Sequence, residues 1–293
     1  MSKTSERRAI AAAPYLFTVA FFAFWEAACR IFQVPPFFLP APSVIAGAFA
    51  QYHSQLLFHS MHTLWMTLAG FGIAVVFGVL LGIALGASRF VNAGAQPLLV
   101  GFNAIPKVAV VPILILWFGV GWVPPVMTAF LISFFPIVVN MVTGLSTIEP
   151  ELEDVMRALG ASKWDILVKI GIPRSMPYLF AALKIAITLA YVGSVIAESN
   201  ASQYGIGNLV TRASADFNVP LVFAALIALA ILGVIIYAAT VELERRMTGW
   251  AHRSTGAVSV IGKSALWRNT EAAFGDSMVS RRCHRSLPLA IAA

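Results

Sequence analysis

The sequence predicts an all-α, polytopic membrane protein with about six transmembrane helices and one helix-turn-helix loop outside the bilayer. Three observations predict it. The chain of 293 residues is 59% hydrophobic and 11% charged, with a mean hydropathy of +0.83. A soluble domain of this length carries about 25% charged residues. Apolar runs recur at the length a membrane crossing needs, about 20 residues as a helix. Finally, Lys and Arg collect in alternate connections, as they do in membrane proteins with a fixed orientation.

The spans follow in order. Span 1 is expected over Ile10 to Phe32 and span 2 over Leu64 to Ala87. Pro97 to Leu145 is too long for one crossing and holds spans 3 and 4, broken near Gly119 to Pro125. Span 5 is expected over Tyr178 to Ala197 and span 6 over Pro220 to Thr240. Residues 1–9 then form an N-terminal segment and 10–253 the transmembrane domain. The tail, 254–293, is basic, lacks a long amphipathic repeat and is expected to be disordered. The first apolar run is longer than a signal-peptide core and carries Glu26 and Arg30, so it is read as an uncleaved span. These two residues, four apart, are expected to pair on one helix face.

With the N-terminus inside, Lys3, Arg7, Arg8, Arg89, Arg157, Lys163, Lys169, Arg174, Arg245, Arg246 and Arg253 are cytoplasmic, and only Arg30 and Arg212 lie outside. Both termini are then cytoplasmic. The net charge of +7 therefore speaks for orientation in a membrane and against nucleic acid. Gln33 to His62 reads as a Pro-rich outer loop, with a short interfacial helix over Ser43 to Tyr52. His53, His59 and His62 are grouped there without a carboxylate or Cys, so no metal site is expected. Cys29 and Cys283 lie at opposite ends of the chain and imply no disulfide framework.

Between spans 4 and 5 lies a polar island, Glu149 to Pro177, reading EPELEDVMRALGASKWDILVKIGIPRSMP. Pro150 suits the first turn of a helix. Glu149, Glu151, Glu153 and Asp154 gather at its positive end. Leu152, Val155, Met156 and Leu159 recur at helical spacing and give an apolar face. Gly160 is a left-handed stop. Ser162 then caps a second helix, with Asp165 three residues on completing a capping-box pattern. Trp164, Leu167, Val168 and Ile170 supply its apolar surface. Pro173 and Pro177 are expected to limit its continuation and redirect the chain. By itself this is an amphipathic loop at the membrane surface.

The spacing adds more. Asp154-Val155-Met156, three residues, Gly160, nine residues, Ile170-Gly171-Ile172-Pro173 resembles the EAA loop of bacterial ABC-importer permeases. That family's pattern is Glu-Ala-Ala, three residues, Gly, nine residues, Ile-x-Leu-Pro. Gly160, Ile170 and Pro173 match, whereas Asp replaces Glu, the bulkier Val-Met replaces Ala-Ala, and Ile172 replaces Leu. Ile105-Pro106-Lys107-Val108-Ala109-Val110-Val111-Pro112 and Leu116-Trp117-Phe118-Gly119-Val120-Gly121 resemble the nitrate, sulfonate and taurine branch. So do Ala197-Glu198-Ser199-Asn200 and Tyr204-Gly205-Ile206-Gly207.

The resemblance implies a transport subunit in the bacterial inner membrane that performs no chemistry and carries no cofactor of its own. A separate cytoplasmic ATPase, in two copies, would bind ATP and Mg. A second copy of the permease, as a homodimer, and a periplasmic or lipid-anchored solute-binding protein complete the assembly. Asp154, Val155, Met156, Ala158, Leu159, Gly160, Ala161, Ile170 and Pro173 are the implied ATPase contact. Gly262-Lys263-Ser264 imitates the end of a P-loop, but Gly256 is one residue too early and no nucleotide-binding domain follows, so this chain is not expected to bind ATP.

Within the spans, Asn103, Lys107, Asn140, Ser194 and Glu198 are the candidate solute-path residues. An ionisable group at membrane depth suggests function, and Lys107 would attract an anion. Snorkelling to the cytoplasmic interface is the competing reading of Lys107 and the reading given to Lys184. Asn103, Asn140, Ser194 and Glu198 also suit hydrogen bonds that join helices. The small-residue runs at Gly70, Gly72, Gly78, Gly82 and Gly86 predict close helix packing. The expected solute is a small anion, or a nitrogen- or sulfur-containing organic compound. An ion-gradient-driven transporter is the alternative, and it requires titratable pairs in mid-membrane.

Overall fold

The computed structural model describes residues 3–87, 89–147 and 149–247, all helix and connecting turn among these residues. The helices are α1 Lys3–Ile31, α2 Pro42–Gln51, α3 His53–Gly86, α4 Arg89–Ala104, α5 Val111–Phe118 and α6 Val123–Ser146. They continue with α7 Pro150–Ala158, α8 Lys163–Ile166, α9 Ile172–Ala201, α10 Ile206–Ala215 and α11 Val219–Met247. A 3-10 turn, Lys107–Val110, precedes α5, and a π turn, Leu167–Gly171, joins α8 to α9. The chain divides into two compact units, 1–243 and 244–293. Of the second, only 244–247, the last turn of α11, is described. The expected disordered tail and the P-loop imitation lie outside the described residues.

Side-chain size sets the packing of the central helices. Gly70, Gly78, Gly82 and Gly86 recur on one face of α3 and admit the backbone and side chains of α6. A Cβ on Gly70 would overlap the Val126 carbonyl. On Gly78, Gly82 and Gly86 it would lie 2.9 Å from Ile137, 2.6 Å from Met141 and 2.6 Å from Leu145, respectively. The contacts advance together along both helices, so α3 and α6 run parallel. Two parallel helices require a return crossing between them. The α4 and α5 segments supply it, as an apolar pair bent by 74°. Pro106 lies in the break, where its ring and missing N–H prevent a continuous helix.

Helix α9 runs antiparallel to α6, with Gly144 against Ser175 and Gly193 against Ile132. Helix α11 returns along α9, held in part by Tyr191 Oη donating to the Leu229 carbonyl at 2.7 Å. Trp25 of α1 packs on Phe223 near the start of α11. Phe22 and Trp25 line one groove with Ile227 and Ile231, so α1 and α11 are antiparallel. Among the described residues, four helices, α3, α6, the α8–α9 rod and α11, are long and apolar enough to cross a membrane, and the bent pair makes a fifth. The sixth expected crossing falls in α1, a helix of 29 residues.

Three expectations change. The outer loop expected up to His62 ends at Tyr52, because no Gly or Pro interrupts His53 to Ala69 and α3 begins there. Pro173 and Pro177 do not redirect the chain. Lys163–Ala201 is one helical rod of 39 residues. The π turn just before Pro173 widens the ladder where proline cannot donate. Lastly, the close packing expected of the α3 glycines holds at Gly70, Gly78, Gly82 and Gly86 but not at Gly72, where no atom lies within 4 Å of a Cβ position.

Candidate functional site

The island projects from the bundle. At about 1.5 Å per residue the 39-residue rod is about 58 Å long, nearly twice the ~30 Å hydrocarbon core. Its first turns are the polar ones. Helix α7 opens with Glu149 as N-cap, in extended backbone geometry (φ −65°, ψ 130°), and with Glu151 and Glu153 in its first turn. Gly160 has φ +82°, with no atom within 4 Å of where a Cβ would stand, so conformation alone selects glycine. The Gly160 N–H donates to Arg157 O (2.9 Å) and the Ala161 N–H to Met156 O (3.0 Å). This is a Schellman closure, and it satisfies the carbonyls the helix end would otherwise expose.

The second turn of the island is also built locally. The Asp165 N–H donates to Ser162 Oγ (3.1 Å) and the Ser162 N–H to the Asp165 carboxylate (3.2 Å), the expected capping box. Lys169 reaches the same carboxylate at 2.8 Å. The Lys169 ammonium first, and then Ser162, hold Asp165 down at about 2. Arg174 bonds Glu149 at 2.8 Å, which fastens the start of α7 to the start of α9.

An exposed apolar surface results. Val155 is 56% exposed, Leu159 78%, Trp164 69% and Val168 41%. Asp154, Ala158 and Gly160 share the open side, and Met156 and Ala161 are half-buried beneath it. The face expected from Leu152, Val155, Met156 and Leu159 is therefore divided: Leu152 and Met156 are half-buried, Val155 and Leu159 face outward. Ile170 lies in the π turn, half-buried, and Pro173 is exposed at the start of α9.

The candidate path residues fall into three places. Asn103 and Lys107 meet at the break between α4 and α5. There the Lys107 ammonium donates to the backbone and side-chain oxygens of Asn103, both at 2.9 Å, and lies 5.9 Å from the Phe135 ring centre. Asn140 stands apart and donates to Pro136 O at 2.9 Å. Ser194 and Glu198 are fully buried together near the far end of α9, with Ser194 Oγ donating to the Glu198 carboxylate at 3.3 Å.

Two members of that buried group carry no signal in the sequence. Thr63 Oγ donates to Glu198 at 2.9 Å, and half-buried His59 places Nδ1 3.0 Å from Gly205 O and 3.1 Å from Gly205 N, bonding one or the other according to its tautomer. Thr63 sits in an apolar run, and His59 reads only as one of three neighbouring histidines. No group of three metal-ligating side chains occurs among the described residues. Glu26 pairs with Arg30 at 2.7 Å, as expected, and also binds Ser43 of α2.

Residues 74–249 match the family described as binding-protein-dependent transport system inner membrane component. The chain belongs to this family. It is a permease subunit of an ABC importer, a translocation component and not an enzyme. The permease is 36% identical to the riboflavin transport system permease protein of Chloroflexus aurantiacus, over 78% of this chain and 85% of that one. It is 31% identical to the formylaminopyrimidine transport permease protein of Halalkalibacterium halodurans, over 81% and 95%. It is 26% identical to the taurine transport system permease protein of Escherichia coli, over 77% and 85%.

Among solved structures, an inward-facing methionine ABC transporter shares the fold at TM-score 0.58 and 21% identity, over 67% of this permease and 97% of that chain. Family membership decides against the ion-gradient alternative. The permease works in a multi-pass membrane setting with an ATPase and a binding protein.

Proposed function

We propose that the island of α7 and α8 is the surface on which the ATPase docks, and that it moves the spans through α9. The observation that carries this is two exposed apolar pairs at helical spacing, Val155 with Leu159 at α7 and Trp164 with Val168 at the start of the unbroken 39-residue rod. Apolar side chains clear of the bilayer need a partner. A continuous helix passes on a displacement that a flexible linker would absorb. The Lys and Arg bias supports a cytoplasmic island, with both termini on the same side.

The transporter then contains two copies of this chain, two ATPases and an extracytoplasmic solute-binding protein. ATP closes the ATPases, draws the two islands together and opens the path outward; hydrolysis resets it. Removing Asp154 to Leu167 is expected to abolish co-purification of the ATPase with the permease. Retained ATPase would sink the docking reading.

The solute we propose is a small, nitrogen-containing organic compound. The relatives named for riboflavin and for a pyrimidine, at 36% and 31% identity, support it over the taurine relative at 26%. A small anion is the second reading and rests on Lys107. Two oxygens of Asn103 already accept from that ammonium, which leaves less of its charge for a solute. Asn103 and Lys107 remain the path candidates, because they sit at a break in the α4–α5 crossing. Calorimetry on the solute-binding protein encoded with this permease separates the two readings. Heat with riboflavin or an aminopyrimidine supports the first; heat only with taurine or nitrate installs the second.

A further inference from the structure

The N-terminus of α10 is closed by other helices. A helix start leaves its leading N–H groups without intrahelical partners, and the start of α10 is buried away from water, so other groups must supply them. Here Ile206 N–H donates to Thr63 Oγ (2.8 Å) and Gly207 N–H to the Glu198 carboxylate (3.0 Å), while His59 Nδ1 lies 3.1 Å from Gly205 N and 3.0 Å from Gly205 O and holds that residue by one bond or the other according to its tautomer. His59 and Thr63 belong to α3, one turn apart. Glu198 belongs to α9. Thr63 also donates to Glu198 at 2.9 Å, so the two spans are tied to each other and to α10 through one carboxylate.

The backbone is shaped around that carboxylate. Gly205 has φ +105°, and a Cβ on it would overlap the Glu198 carboxyl. A Cβ on Gly207 would overlap Val195 O and lie 3.0 Å from Glu198 Cβ. Glu198 and Thr63 are both fully buried, and the Glu198 oxygens are occupied by Thr63, Ser194 and Gly207. A solute contact for Glu198 would require breaking this set. The group lies at the end of α9 opposite the island, the end at which the path must open or close when the island moves.

We propose that Glu198, with Thr63 and His59, is a positioning clamp that makes α10 travel with α9 and α3, and so links ATP use to opening of the path at that end. This rests on the coupling reading of the island given above. Glu198 touches no solute and changes no covalent bond. It fixes which elements move together.

The test uses the complete transporter, permease with its ATPase and solute-binding protein, in proteoliposomes. Glu198→Ala leaves Gly207 N–H and the Thr63 hydroxyl proton without their acceptor and removes the carboxylate tie between α3, α9 and α10, leaving Ser199 Oγ to Gly207 O (3.2 Å) as the remaining side-chain bond from α9 to that turn. Uptake is expected to fall about tenfold or more while ATP hydrolysis stays within about twofold, so ATP consumed per solute rises about tenfold. Glu198→Gln keeps an oxygen for Thr63 and Gly207 and an amide for Ser194, and is expected to hold uptake within about threefold.

Where Glu198→Ala does not assemble, Thr63→Val against Thr63→Ser provides the same ratio, with loss of coupling in Val and retention in Ser. Equal loss of uptake and hydrolysis, or an unchanged ratio in Glu198→Ala or Thr63→Val, overturns the clamp. Absence of ATP-dependent uptake in the unaltered transporter overturns the coupling reading, and the clamp with it.

Discussion

The two ends of the α8–α9 rod solve the same problem in opposite ways. At the island, the C-terminus of α7 and the N-terminus of α8 are closed by their own neighbours in sequence. Gly160 closes α7 within four residues, and Ser162 and Asp165 cap α8 across three. At the other end, α10 is capped by His59 and Thr63, 146 and 143 residues away in sequence. The caps of the island need only its own residues, so it can fold locally. The clamp is buried among spans, and its polar groups exist only as a set. A local cap makes an independent, replaceable surface; a cap contributed by other helices makes those helices move as one.

Two glycines with positive φ expose this difference most sharply. Gly205→Ala combines a backbone region almost reserved for glycine with overlap on Glu198. It is expected to destabilise the permease by about 2–6 kcal/mol from strain and overpacking together. The measurement is its thermal midpoint in detergent; a midpoint equal to wild type would refute the crowding. Gly160→Ala meets only the left-handed penalty, about 1–2 kcal/mol, because open space surrounds that site. Its cost is expected in hydrogen exchange of the island amides, with the global midpoint unchanged.

Smaller still is Ser162→Ala, which removes the capping box and is expected to cost about 1 kcal/mol of local helix stability. Faster exchange at Lys163 to Ile166 reports it, while amides in α10 keep their protection. The smallest effect concerns Asp165. Its folded carboxyl lies at about 2, below the ordinary value near 3.9. Its contribution is therefore present above about pH 3.9 and is lost as pH falls through about 2. A side-chain carbon-shift titration of Asp165 with its midpoint near 2 agrees; a midpoint near 4 would show that Lys169 and Ser162 do not hold it in solution.

What the sequence reveals follows the same division. Hydropathy marked the crossings, and local punctuation marked the island down to its capping box, because these depend on residues a few positions apart. The start of α3 was missed because a histidine-bearing stretch without Gly or Pro looked polar enough for a loop. The continuity of α9 was missed because two prolines suggested a stop, and a π turn accommodates them. Ser194 and Glu198 were picked out as polar groups at depth. Their partner Thr63 was not, since one threonine in an apolar helix has no distinguishing pattern. Gly205 and Gly207 read in the sequence as part of a motif, but the carboxylate they accommodate is a tertiary fact.

We place the junction between the permease and its ATPase at the exposed apolar island. Its most direct test is co-purification of the ATPase with a permease carrying Leu159→Asp and Trp164→Asp. Both side chains are largely exposed, so the permease should keep its thermal midpoint while the ATPase is lost. An ATPase that stays bound at wild-type stoichiometry to this variant would contradict the account.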